Sequence, residues 1–275
     1  MLPALADDAI TLHYQPIADT QGNILGFEAL MRWHHQQRGA ISAEAFIPVF
    51  ENCGVILPLS RWALKQASLD AVCWRRPLQV SVNLSPVQFQ QDDVPGMVAA
   101  ILAETGLAPE RLELEITEAT LLANAKRHGP MLLRLADLGV RLTFDDVGAG
   151  VALPFHLQDY PFSKIKIARS VVEYVEVSPS ARSIIHMIVQ VGRSMNVPVA
   201  AKGIETAGQL SILINEGCEF IQGFFFSRPA AMSSFARITG NVPDDFTPGS
   251  TRLANGMHLL VPLHANAVDS ADRVT

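Results

Sequence analysis

The chain reads as an α/β protein of repeated strand–helix units, forming either a parallel sheet or a (β/α) barrel. Three observations lead there. Short runs with a two-residue apolar period alternate with helical stretches of ordinary length. The 275 residues match the roughly 250 of a typical eight-stranded barrel. Polar residues recur where the strand-like runs end, as they do at the carboxyl mouth of such a barrel.

Taken in order, "ITLHYQPIADTQGNILGFEALMRW" gives two strands around a Gln-Gly-Asn turn. Glu28 lies among apolar neighbours in the second strand, with Arg32 just after it. It is either a site residue or half of a Glu28–Arg32 structural pair. "SAEAFIPVFENCG" is a helix with a cap signal at Ser42 and a stop at Gly54. "LSRWALKQASLDAVCWRR" is a second helix, ending before Pro77. "LQVSVNLSP" is a strand closing on Asn83 and Ser85, where Asn83 is a turn former or a neutral oxygen ligand for a hard cation.

"VPGMVAAILAETG" is a helix stopped by Gly106. "RLELEITEAT" is a strand with Glu113 and Glu115 on one face and Leu112, Leu114 and Ile116 on the other. Alternation of this kind commonly marks a solvated strand face, and that expectation stands beside a functional one. Glu118 follows at the turn. "HGPMLLRLADLG" is a helix closed by Gly139.

"VRLTFDDVGAG" is a buried strand that runs into adjacent carboxylates, Asp145 and Asp146, and a glycine turn. Unpaired carboxylates at a strand end are costly, and a hard cation relieves them. In "FSKIKIARSVVEYV", Lys164 and Lys166 alternate with Ile165 and Ile167 ahead of a helix. "SARSIIHMIVQVGRSMN" is an apolar helix on which His186 has no metal-spaced partner and reads as structural. "VPVAAKGIET" is a strand ending at Lys202, with Glu205 beyond. A helix and a last strand, "EFIQGFFFSRP", follow. Gln222 ends that strand, and the Phe224–Phe226 run reads as packing.

In a barrel, Glu28, Asn83, Glu115, Asp145, Asp146, Lys166, Lys202 and Gln222 meet at one mouth. That set is oxygen-rich and free of His and Cys, which suits Mg²⁺ or Mn²⁺ and metal-dependent phosphate chemistry. Residues 1–239 form the body. From Gly240 to Thr275 the composition turns to Pro, Gly, Asn and Asp, expected to form an irregular appendage with "MHLLVPL" docking on the body.

Composition bounds the rest. A 49% hydrophobic content is ample for a core, and the formal net charge of -6 argues against DNA binding. Cys53, Cys73 and Cys218 fit neither a disulfide framework nor a zinc site, so a reducing cytoplasm is expected. "MLPALADDAI" is no signal peptide. No uninterrupted apolar stretch is long enough for a membrane-spanning helix.

From about Ile10 to Ala236 the chain resembles the EAL domain of bacterial cyclic di-GMP phosphodiesterases. The resemblance rests on "YQPI", "FEALMRW", "FIPVFENCG", "VNLSP", "LELEITE", "DDVGAG", "KIKIA", "AKGIET" and "QGFFFSRP", in that order. It implies a modified (β/α)₈ barrel of TIM type whose first strand runs antiparallel. It also implies a two-metal site, with Glu28, Asn83, Glu115 and Asp145 on one ion and Asp145 and Asp146 on the other. Lys166 matches the lysine that helps polarise the attacking water. Arg32 and Gln222 match residues near the ligand's phosphate and base, and Glu28 and Asn83 also face the ligand. Glu118 and Glu205 match glutamates that brace the site and its loop.

Three departures stand out. Lys202 takes the place of the glutamate assigned as general base, and Ala168 replaces a carboxylate. The loop from Val147 to Pro154 lacks the family's Phe-Gly-Thr-Gly and Tyr-Ser-Ser-Leu pattern, which couples the site to the dimer contact. Together the first two make the mouth about three charges less negative. They imply at most one bound Mg²⁺ or Mn²⁺, and the loop implies a weakened homodimer. Three functions fit. The chain is a catalytically impaired cyclic di-GMP receptor or regulator with a protein partner; it hydrolyses cyclic di-GMP to pGpG; or it is an interaction module that binds no nucleotide.

Overall fold

The computed structural model describes residues 9–91, 93–123, 125–150, 159–241, 251–252 and 258–259. Strand β1 (Ile10–Asp19) turns back into β2 (Ile24–His35), which carries a short flap, β3 (Gly39–Ile41). Helices α1 (Ala43–Asn52) and α2 (Ile56–Val72) lead to β4 (Gln79–Asn83). Helices α3 (Pro86–Gln91) and α4 (Val94–Thr105) lead to β5 (Leu112–Thr117). Helices α5 (Glu118–Ala123) and α6 (Ala125–Asp137) lead to β6 (Arg141–Val147). The last units are β7 (Lys164–Ile167), α7 (Arg169–Val172), α8 (Pro179–Met195), β8 (Val199–Ala201), α9 (Ala207–Glu216) and β9 (Phe220–Ile221).

Parallel pairings run β2–β4–β5–β6–β7–β8–β9, and β1 lies antiparallel to both β2 and β9, so eight strands close into a barrel. The implied antiparallel first strand is therefore present. The β1–β9 seam is short, formed by Ala18 opposite Ile221 and Asp19 opposite Phe220. The chain after β9 reinforces it: Tyr14 and Ala230 exchange backbone hydrogen bonds, and the Gln15 amide donates to the Ser227 carbonyl at 3.0 Å.

The two-residue period sorts the strand residues. Leu112, Leu114, Ile116, Leu142, Phe144, Ile165 and Ile167 are buried in the main core cluster with the inner faces of the helices. The alternate residues point into the barrel, and there the expectation of a solvated Glu face fails. Glu113 and Glu115 are each only 1% exposed, because closure of the sheet puts that face inside. Lys164 reaches Glu113 at 2.6 Å, and Lys166 reaches Glu115 at 2.8 Å. These are two rungs of one ladder between β5 and β7. Thr143 and Ser81 also donate to Glu113, at 2.8 and 3.2 Å, so the lower rung is well satisfied.

Helix ends follow local chemistry. Gly106, Gly139 and Gly217 stop helices with positive φ, as does Asn196. Ser42 precedes α1 as expected, but its side chain makes no capping bond. Short helices α3 and α5 were not legible in the sequence. After β9 the chain stays on the body at least to Asn241: Phe235 packs against Phe27 at 5.1 Å, and the Arg75 amide donates to the Asn241 side chain. Of the expected appendage only Gly240, Asn241, Thr251–Arg252 and His258–Leu259 are described, the last two segments as short antiparallel strands. No described helix is long and apolar enough to cross a membrane.

Candidate functional site

The carboxyl ends of the parallel strands carry the site. Lys166 of β7 crosses the barrel to Glu28 of β2 at 2.8 Å while also bonding Glu115 of β5. Glu28 accepts from Asn83 at the end of β4 at 2.8 Å and from Gln222 after β9 at 2.7 Å. Gln222 in turn donates to Gln15 of β1, the direct antiparallel partner of Glu28. Gln15 was missed as a site residue; its pairing register is its only signal.

Of the two readings of Glu28, the Glu28–Arg32 structural pair does not form. Residues four apart in a strand share a face but stand about 13 Å apart. Arg32 instead donates to the Met31 carbonyl at 2.9 Å and sits half-buried further along β2.

Asp145 and Asp146 are consecutive, so a regular strand would send them to opposite faces. The β6–β7 register shifts between Phe144 and Val147, and Asp146 adopts φ 57°. This bulge brings both carboxylates to one cation. Lys202, one residue past β8, holds Asp145 and Asp146 at 2.8 Å each. Gly148, with φ 91°, completes the turn against Ile184 and Val171. Glu118 opens α5 beneath this turn, its carboxylate against Gly148 and Gly150. Burial raises its pKa and those two backbone amides counter the rise.

Outside this set, Glu205 pairs with Arg169 at 2.8 Å on the rim, where Phe224 lies under the guanidiniums of Arg169 and Arg228. Ala168 is buried at the end of β7 and supplies no polar group. His186 is exposed and lies 3.0 Å from Glu216, remote from the mouth residues in contact terms. Residues 151–154 of the altered loop lie outside the described residues.

Electrostatics follow from four carboxylates facing two ammoniums. Burial would raise Glu28, but Lys166 and Lys202 outweigh it and hold its carboxyl at about 2. Burial, with the neighbouring Glu28, pushes Glu115 up to about 8. Burial also raises Asp145 against the pull of both lysines. Burial disfavours charge on Lys166 and Lys202, yet Glu115, Glu28 and Asp145 around the first and Asp145 beside the second keep both firmly protonated.

The donor set suits a hard cation: carboxylates, an amide oxygen and no soft ligand. Asp145 Oδ1 and Gln222 Oε1 are buried and have no hydrogen-bond partner. Yet among the described residues no group of three or more His, Cys, Asp or Glu is gathered to hold a metal. Two ammonium groups stand between the carboxylates. The set around Glu28, Asn83, Glu115 and Asp145 Oδ1 has the donor types for one ion, with Asp145 Oδ1 unpartnered, while Lys166 holds Glu28 Oε2 and both oxygens of Glu115. The Asp145–Asp146 pair does not fit a second, because Lys202 already bridges it.

The family model for the EAL domain matches residues 1–229. The chain is an EAL domain. It is 43% identical over 236 residues to an uncharacterized signaling protein of Caulobacter vibrioides, covering 86% of this chain and 29% of that protein. It is 36% identical over 242 residues to the cyclic di-GMP phosphodiesterase NbdA of Pseudomonas aeruginosa, covering 85% and 31%. Among solved structures it is similar to the PaMucR phosphodiesterase in its c-di-GMP complex. That match has a TM-score of 0.82 and 32% identity, covering 84% of this chain and 96% of that one. It is also similar to the EAL domain of Mycobacterium smegmatis DcpA, with a TM-score of 0.71 and 28% identity, covering 86% and 100%. The EAL domain described here spans about three tenths of the length of the curated relatives it matches. Its family is that of cyclic di-GMP signalling domains.

Proposed function

We propose that this EAL domain binds cyclic di-GMP at the barrel mouth without appreciable turnover, acting as a receptor in the cytoplasm through a protein partner. The carrying observation is Lys202, held 2.8 Å from both Asp145 and Asp146. In-line attack on a phosphodiester needs an activated water and a clamp on phosphate charge. An ammonium kept protonated by its neighbours accepts no proton, so it cannot serve as general base.

In this reading Glu28, Asn83, Glu115 and Asp145 hold at most one Mg²⁺ or Mn²⁺. When bound, such an ion polarises phosphate oxygen and lowers the pKa of water. Lys166 holds the Glu28 and Glu115 carboxylates in place. Arg32, Glu28, Asn83 and Gln222 contact the ligand, while Glu118 and Glu205 brace the turn and rim. Asp146 keeps its ligand position only on paper, since its carboxylate is committed to Lys202. The altered loop from Val147 to Pro154 and the lost Tyr-Ser-Ser-Leu pattern support a weakened homodimer.

A second function, slow hydrolysis to pGpG with one ion, is favoured by the unpartnered Asp145 Oδ1. Product analysis separates the two. We expect binding by calorimetry with turnover lower by on the order of 10²–10⁴, the usual cost of losing a general base. The double change Lys202→Glu with Ala168→Asp should restore part of it. Wild-type turnover equal to that of active EAL phosphodiesterases would sink the receptor reading.

A further inference from the structure

We infer that Lys202 is itself a phosphate-recognition residue, a tethered cation that takes over the clamp a second metal would provide. This rests on the mouth being a cyclic dinucleotide site, as proposed above. An ammonium has three N–H donors and no acceptor. Lys166 directs its donors to Glu28 Oε2 and both oxygens of Glu115, and its side chain is only 2% exposed. It has nothing left to offer a ligand. Lys202 donates to Asp145 Oδ2 and forms an ion pair with Asp146 Oδ1, both at 2.8 Å, and its side chain is 19% exposed. At least one N–H remains, on a side chain that is partly exposed.

The two aspartates fix that ammonium as a metal's ligands fix a metal. The bulge at Asp145 and the φ of 57° at Asp146 aim both carboxylates at the same nitrogen. The cation is therefore held in place before any ligand arrives, and little side-chain entropy is lost on binding. The acceptor it suits is a non-bridging oxygen of a phosphodiester, a monoanion that can approach one free donor. A divalent ion in the same place would add a second positive charge and an activated water; Lys202 supplies charge and direction alone.

The consequence is a changed dependence on divalent ions. Calorimetric titration of the full chain with cyclic di-GMP, in Mg²⁺ and in EDTA, gives a ratio of the two Kd values. We expect a ratio below about 10 for wild type. For Lys202→Met the ratio should be larger by about tenfold or more, the size of one charge-assisted hydrogen bond to a phosphate. Without the ammonium, Asp145 and Asp146 must be neutralised by an added ion. Lys202→Arg keeps charge and donors and should stay close to wild type, which guards against reading a folding defect as a binding effect. Equal ratios in wild type and Lys202→Met would overturn the inference while leaving the receptor reading intact. Absence of wild-type binding in both buffers would remove both.

Discussion

Asp146 lies in the left-handed region, φ 57°, with a side chain that is neither Gly nor Asn. Such residues cost of order 1–3 kcal/mol and persist where the surroundings fix them. Here the fixing group is Lys202. Glu115 carries a second local tension. Its carboxyl is pushed up to about 8 by burial and by Glu28, so folding favours its protonated form. A raised carboxyl stabilises the fold fully below its ordinary value of about 4.5 and loses that contribution as pH climbs to about 8. Glu28, held at about 2, acts the other way, and its contribution fades only as pH falls from about 4.5 toward 2. Urea unfolding in EDTA should therefore show stability declining between about pH 5 and pH 8. Glu115→Gln should flatten that decline, and an unchanged slope would assign the titration to another group.

At the scale of single elements, the ladder between β5 and β7 is testable as a unit. Removing one partner of a buried ion pair costs about 3–5 kcal/mol. Glu113→Gln should thus lower the melting temperature by roughly 10 °C. Glu113→Leu with Lys164→Met should recover most of the loss, since apolar replacement of a whole buried pair is often neutral. If the double variant melts lower than the single one, the pair contributes more than its own neutralisation.

That ladder also marks where sequence legibility stopped. The alternation in "LELEI" and "KIKI" gives strands and faces, but whether the polar face is wet depends on whether the sheet closes. Closure was not in the period. It rests on a two-residue β9 and a reversed β1, elements too short or too ordinary to announce their partners. Most mouth residues were legible because they stand at or near strand ends, Glu28 in the middle of β2 being the exception, and the structure brings Glu28, Asn83, Glu115, Asp145, Asp146, Lys166, Lys202 and Gln222 together. Gln15 was not legible, because its place depends on antiparallel register. Spacing in sequence also left Glu28 open between a site residue and a Glu28–Arg32 pair, because nearness along an extended chain cannot be read from spacing alone.

For the whole molecule, β9 joins the barrel by short pairings on both sides, two residue pairs to β1 and two to β8. The segment from Ser227 to Asn241 straps the β1–β9 seam, through Ala230, Ser227 and the packing of Phe235 on Phe27. A chain ended after Asn241 should melt within about 2 °C of the full chain, whereas one ended after Ser227 should lose cooperative unfolding. Circular dichroism melts of the two truncations check this. A large loss from the first would mean that residues beyond 241 belong to the body.

The reversed β1 has a consequence for traffic through the molecule. In a barrel of uniformly parallel strands, the incoming chain enters at the floor, on the far side from the chemistry. Here Ala9 leads into β1 beside His34, its carbonyl accepting from the His34 amide at 2.8 Å, beyond Arg32 on the mouth side of β2. The start of β1 therefore lies on the mouth side of the barrel. The direction of one strand thus sets the side of the barrel on which the described chain enters.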